Sequence, residues 1–214
     1  MTARISKFLY QPIDPSAVAI YRIVFGLFMV YQMLYYFSID YTYQFMAGPE
    51  MLFHYEGLSF LKPFPVGILQ FIHVLLLTAA ILIAVGWHYR KAMIVFFLGF
   101  TYFTFVDKTL FNNHLYLISL LSFVMIFMNA DKKYSVRSWK SNSTLAATIP
   151  AWNQYILIFL IALPYVYGGI AKLGFNWTET SLVSEMVSQS KSSLLKSVFS
   201  EEVLVSFCSQ TFPG

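Results

Sequence analysis

Five stretches of the chain are almost continuously apolar, over residues 17–37, 66–85, 92–106, 115–128 and 155–170. Each approaches the ~20 residues that a membrane-crossing helix needs once its flanks are counted. The pattern predicts an all-α, polytopic transmembrane helix bundle with at least five spanning helices. Residues 1–15 are polar and run straight into a full-length span, without the short apolar core and small-residue cleavage site of a signal peptide, so the first helix is predicted to be retained. Asp14-Pro15 marks its start, as a capping acid followed by proline where a helix has no use for the missing N–H.

Between the first two spans, residues 38–65 are rich in aromatics and broken by Gly48-Pro49, Gly57 and Pro63 to Pro65. This segment is predicted to fold back as short interfacial helices that roof a pocket. Residues 132–150, with Ser141 to Thr144 at their centre, read as a plain polar loop. Beyond Trp177 the chain turns polar, and residues 181–207 carry mixed helical periodicity, as an interfacial helix or the start of a further span would. Thr211-Phe212-Pro213-Gly214 supplies no helix stop or hydrophilic tail, which reads as a C-terminal truncation.

Composition agrees with the pattern: 58% of the 214 residues are hydrophobic and 11% charged. The net charge of +4 does not call for nucleic acid, because the basic residues cluster in alternate loops as topology signals do. Arg4 and Lys7 precede the first span, Arg90 and Lys91 separate the second from the third, and Lys132, Lys133, Arg137 and Lys140 follow the fourth. The positive-inside rule makes these segments, and the N-terminus, cytoplasmic. Asp107, His114 and Lys172 then share the opposite face. Cys208 is the only cysteine, which excludes an intramolecular disulfide and a multi-cysteine metal site. No second histidine stands at metal spacing from His73, and no metal is expected.

Two ionisable residues at helix ends on one membrane face suggest a reactive site. A lysine serves as a base when its amine is neutral, and apolar surroundings favour that form. Lys172 follows an apolar helix, with Gly168 and Gly169 one turn earlier to admit a flat ring or a second helix. The alternative is a lysine that snorkels to the headgroups. His114 can orient or polarise an oxygen while Asn112 and Asn113 supply amide donors, the alternative being a helix capped by Asn113. Asp107 and Lys108 read as a solvated turn, and Arg22 as a structural residue that snorkels to the cytoplasmic surface. His73 reads as a polar contact inside the bundle, and His54 and His88 as loop residues.

Asp107-Lys-Thr-Leu-Phe-Asn-Asn-His-Leu-Tyr-Leu117, Phe127-Met-Asn-Ala130, Tyr134-Ser-Val136, Ile149-Pro-Ala-Trp-Asn153 and Tyr167-Gly-Gly-Ile-Ala-Lys-Leu173 follow one another in the order of a known motif series. Ile13-Asp-Pro15, Ala19-Ile-Tyr-Arg22, Pro63-Phe-Pro65 and Trp177 belong to the same series. The sequence thereby resembles, over nearly its whole length, the vitamin K-dependent gamma-glutamyl carboxylase family, whose membrane part is also known as the horizontally transferred transmembrane (HTTM) domain.

The resemblance implies one such domain over residues 1–214, in a bacterial inner membrane or the endoplasmic reticulum, with its active face external or lumenal. It implies vitamin K hydroquinone as cofactor, with O2 and CO2 as co-substrates and a glutamate-containing peptide as partner. Lys172 would be the base that deprotonates the hydroquinone, and His114 would hydrogen-bond its oxygen. Phe111, Asn113, Gly168 and Gly169 would line the pocket. Vertebrate members often show two adjacent lysines where this chain has Ala171-Lys172, and tryptophan where it has Phe111; neither departure removes the base. Full carboxylases also carry further helices and a large lumenal peptide-binding domain that is not in this sequence. The competing expectation is therefore a non-carboxylating relative that binds a quinone or helps mature an exported peptide.

Overall fold

The computed structural model describes residues 2–49, 52–58, 60–140 and 148–173, and side chains from residue 4 to residue 171 within them. Helices cover all five apolar stretches. A short amphipathic helix α1 (Thr2–Tyr10) leads to strand β1 (Pro12–Ile13) and then to α2 (Ser16–Ser38). Next come a π-helical turn (Thr42–Ala47), α3 (Val66–Val85), α4 (Tyr89–Phe105), a 3-10 turn (Lys108–Leu110) and α5 (Asn113–Phe127). A short α6 (Val136–Lys140), strand β2 (Ile149–Pro150) and α7 (Trp152–Leu173) complete the described chain.

Three of these helices, α2, α3 and α7, are long and apolar enough to cross a membrane. The 17 residues of α4 and 15 of α5 make rods of only about 26 and 23 Å, short of the ~30 Å hydrocarbon core. Arg90 and Lys91 occupy the first turn of α4, and the 3-10 turn uses up chain before α5 starts. Five elements are therefore present where five spans were predicted, and three of them have spanning length.

Helices α2, α3, α4 and α5 pack in chain order, each against the next. Contact between α2 and α3 is close because Gly26 has no side chain: a Cβ there would lie 2.6 Å from the Ala84 nitrogen. Small residues that let backbones approach are a common way for helices to pack in lipid. Away from that contact, α2 exposes Ile20, Val24, Leu27, Phe28, Tyr31 and Leu34 along one stripe. On a soluble protein such a stripe would be an aggregation liability; on a membrane helix it is the lipid-facing side.

At one end of the bundle lie the start of α2, the end of α3, the start of α4 and the end of α5. Their shared anchor is Arg22, which is 0% exposed. Its Nη1 donates to the Ile83 and Ala84 carbonyls, both at 2.7 Å, Nε to Ala130 at 3.1 Å and Nη2 to Tyr134 at 2.5 Å. The snorkelling route expected for this residue is thus replaced by a cage of backbone oxygens, two of them at the negative end of α3. Gly86 makes room for it. This residue closes α3 with φ +69°, and a Cβ here would lie 2.5 Å from Arg22 Nη1.

The polar loop after α5 is more structured than predicted. It contains α6, and β2 pairs antiparallel with β1, Pro12 opposite Pro150 and Ile13 opposite Ile149. Lys133 donates to Asp14 at 2.9 Å and to Ser16 at 2.5 Å. Hydrogen bonds from Ser16 and then Lys133 hold the Asp14 carboxyl down to about 2. The pairing is therefore present above the ordinary carboxylate range and is lost only as pH falls through about 2. On α1, Phe8 stacks on Tyr155 with ring centroids 4.6 Å apart.

Packing divides the chain into two compact units, Met1–Leu160 and Ile161–Gly214. The division falls where Pro164, inside α7, supplies no N–H to the carbonyl of Leu160.

Candidate functional site

At the opposite end of the first unit, the turn between α4 and α5 is built around Asp107. Its Oδ1 accepts from Thr109 N at 2.9 Å, capping the 3-10 turn, and from Phe53 N at 3.3 Å. Lys108 N in turn donates to Phe53 O at 2.7 Å. Asp107 is thus buried at 3% exposure rather than solvated as the sequence suggested. It clamps the loop after α2 onto the turn. The same loop is held again farther along, where the Tyr102 hydroxyl donates to Lys62 O and accepts from Phe64 N, both at 3.1 Å. The predicted fold-back is therefore present, with one helical turn (Thr42–Ala47) and irregular chain beyond it among the described residues.

That clamp brings Tyr55 against Phe105 and Phe111, at 5.5 and 6.5 Å between ring centroids. Tyr116 contacts the same two rings, at 6.4 Å from Phe105 and 6.2 Å from Phe111. Four aromatic rings thus gather where α4 ends and α5 begins. The Tyr55 hydroxyl is shut off from solvent without a hydrogen-bond partner among the described residues, and burial, then the nearby Asp107, keeps it protonated by raising its pKa.

A polar feature lies deeper in the seam between α4 and α5. Phe97, Thr101 and Phe105 recur every four residues along α4 and so share one face. Tyr116, Ser119 and Phe123 do the same on α5 at spacings of three and four. Phe105 meets Tyr116 at the top of the seam, and Phe97 meets Phe123 at 5.3 Å two turns farther in. The register between these contacts puts Thr101 opposite Ser119. Both hydroxyls are buried and neither has a hydrogen-bond partner among the described residues. Other hydroxyls in α3, α4 and α5 behave differently: Thr78, Thr104 and Ser122 each donate to the carbonyl four residues back, at 2.7 to 2.9 Å. Buried orphans of this kind are unusual enough to require an explanation.

Among the residues singled out from sequence, Phe111, Asn113 and His114 come together at the mouth of this seam. All three are exposed. The helix cap is Asn112, whose Oδ1 accepts from His114 N at 2.9 Å, and not Asn113, which forms the first helical residue. The amide and imidazole of the next two residues are left projecting from the first turn. Gly168 and Gly169 lie in the second unit, on α7, where a Cβ on either would meet nothing within 4 Å among the described residues. The backbone of Lys172 lies in the last turn of α7, and its side chain is outside the described residues. The segment 181–207 and Trp177 are outside them as well.

Tyr55, Thr101, Phe105, Tyr116 and Ser119 were not flagged from the sequence. Aromatic and hydroxyl residues are ordinary in apolar helices, and the four-residue spacing of Phe97, Thr101 and Phe105 is the one signal in the chain that could have placed them on a common face. His73, by contrast, is the internal polar contact that was predicted: Nε2 donates to Met33 O at 3.0 Å, and the ring stacks on Phe37 at 3.8 Å.

No solved structure matches the chain. A family model does, that of the HTTM domain, and it covers residues 10–212. An apolar helical bundle with a lipid-facing stripe, matched over nearly all of its length, belongs to the HTTM domain family of integral membrane proteins.

Proposed function

We propose that this protein is a quinol-dependent membrane enzyme of the gamma-glutamyl carboxylase type, and that the seam between α4 and α5 receives the ring of vitamin K hydroquinone. The observation that carries the reading is the buried, partnerless pair Thr101 and Ser119 between two aromatic contacts. A flat ring bearing oxygen at both ends fits such a lining: aromatic walls stack on it, and hydroxyls meet its oxygens. Tyr55 is a third donor at the mouth, where His114 and Asn113 stand ready to hydrogen-bond the outer oxygen and Phe111 to cover it.

In this reading Lys172 takes the first proton, and Gly168 and Gly169 leave space beside it. When bound, the hydroquinone would supply, with O2, the basicity needed to take a γ proton from a peptide glutamate. His114 would hold one quinol oxygen by a hydrogen bond. The Asp107 clamp keeps the roof loop seated and water out of the aromatic cluster.

The test is epoxide formation by the full-length protein in lipid nanodiscs, supplied with the hydroquinone under oxygen. Replacing both orphans, as Thr101→Val with Ser119→Ala, is expected to raise the quinol KM about 5- to 30-fold, two lost hydrogen bonds of ~0.5 to 1 kcal/mol each. The quinol-free protein should be as stable as before or more so, because two unpaired hydroxyls have been removed. An unchanged KM would remove the quinol from this seam. Quinol binding without epoxide in the parent protein would favour the non-carboxylating relative instead.

The proposal includes five spanning helices and a cytoplasmic basic end. With Cys208 changed to Ser, cysteine at Thr109 should react with a membrane-impermeant maleimide on intact cells. Cysteine at Trp139, which is 78% exposed at the basic end, should react only after the membrane is opened. The reverse pattern would invert the topology and move the site to the cytoplasm.

A further inference from the structure

At the basic end, a cleft of about 490 Å³ opens beside the start of α4. Its floor is apolar, with Met128 buried and Trp87 half exposed. One wall is the ion pair of Arg137 and Asp131, 2.6 Å apart, which neutralises itself. Around the rest stand Arg90, Lys91 and Lys140, none of which has an ion-pair partner among the described residues. No side chain caps the first turn of α4, whose positive end therefore adds to the three cations.

We propose that this cleft binds the phosphate of an anionic phospholipid from the adjoining leaflet. Three unpaired cations and an uncapped helix end select an anion with several acceptor oxygens, and phosphate has that chemistry. The apolar floor selects the lipid-borne form over the free ion. A soluble phosphate would leave Trp87 facing water, whereas a lipid lays its glycerol and upper acyl carbons against it. Trp87 stands between the apolar helix α3 and the charged turn, which is where tryptophan concentrates in membrane proteins, at headgroup depth. Arg90 and Lys91 add charge without paying to enter the hydrocarbon.

The experiment is native mass spectrometry of the full chain, titrated with phosphatidylglycerol and, in parallel, with phosphatidylcholine. Arg90→Gln with Lys140→Gln should weaken phosphatidylglycerol binding on the order of 10-fold or more. Lys7→Gln with Lys132→Gln, the same loss of charge on the same end but outside the cleft, should weaken it far less. Lys140→Gln alone, at an exposed position, gives a partial loss in a variant that does not disturb the start of α4. Equal losses in the two double variants, or no preference of the parent protein for phosphatidylglycerol, would overturn the proposal. Displacement of the lipid by millimolar inorganic phosphate would overturn it too, by showing that the acyl part contributes nothing.

Discussion

Lys172→Ala is expected to lower quinol epoxidation ~100- to 10,000-fold, the usual cost of removing a positioned base, while membrane insertion and thermal stability stay near those of the parent. A lysine that only anchors its helix at the headgroups would lose little activity on replacement, so the size of the loss separates the two roles. A base must be neutral to accept a proton. An acid placed beside it, as in Ala171→Asp, raises the pKa of the amine and leaves less of it neutral at a given pH. The rate of that variant should therefore recover as pH rises, and its profile should shift to higher pH relative to the parent protein. Small exogenous amines should restore part of the turnover of Lys172→Ala. Near parental epoxidation by Lys172→Ala in an active full-length protein would show that the amine is not the base.

Arg22→Met should destabilise the bundle by on the order of 3 kcal/mol, read as a loss of thermal midpoint in detergent and as earlier unfolding in a denaturing-detergent titration. Methionine fills most of the space and restores none of the hydrogen bonds. The Ile83 carbonyl keeps a second donor, Gly86 N at 3.2 Å. Those of Ala84, Ala130 and Tyr134 lose Arg22 and end buried or half-buried without it. Arg22→Lys keeps the charge, but a single ammonium cannot reach the end of α3 and two points of the loop after α5 together, so it should fall between the two. Because Gly86 leaves room for the guanidinium, Gly86→Ala should produce a similar defect by pushing Arg22 out of its cage. A change within about 0.5 kcal/mol for Arg22→Met, the range of an ordinary surface substitution, would mean that the loop and α3 are held by packing alone.

Much of the fold was legible in the chain. Helix α3 runs over the 66–85 stretch residue for residue, and α2 differs from the 17–37 stretch by one position at each end. The short helices were harder to read. Residues 92–106 read as one apolar run, whereas α4 starts three residues earlier and takes Arg90 and Lys91 into its first turn. The polar loop concealed the β1–β2 pair, since two residues at each side carry no periodicity. At the site, the distinctive Asn112-Asn113-His114 triplet was visible, but which asparagine caps the helix was not. Both are good caps, and only the backbone at position 112 decides between them.

What the sequence by itself determined is local and additive: which stretches are apolar enough for helices in lipid, where charge forces a break, and which end of the bundle gathers the basic residues. Lipid offers no partner for an open backbone, so a long apolar run has few alternatives to a helix. The tertiary structure alone decided which polar groups are satisfied. Arg22 is caged by carbonyls from residues 83 to 134, Asp107 is buried because residue 53 folds back to it, and Thr101 is left opposite Ser119 by the register of two helices. The first two depend on segments distant in the chain being brought to within a few ångströms and the third on how two helices are set against each other, and no property of a single segment encodes either.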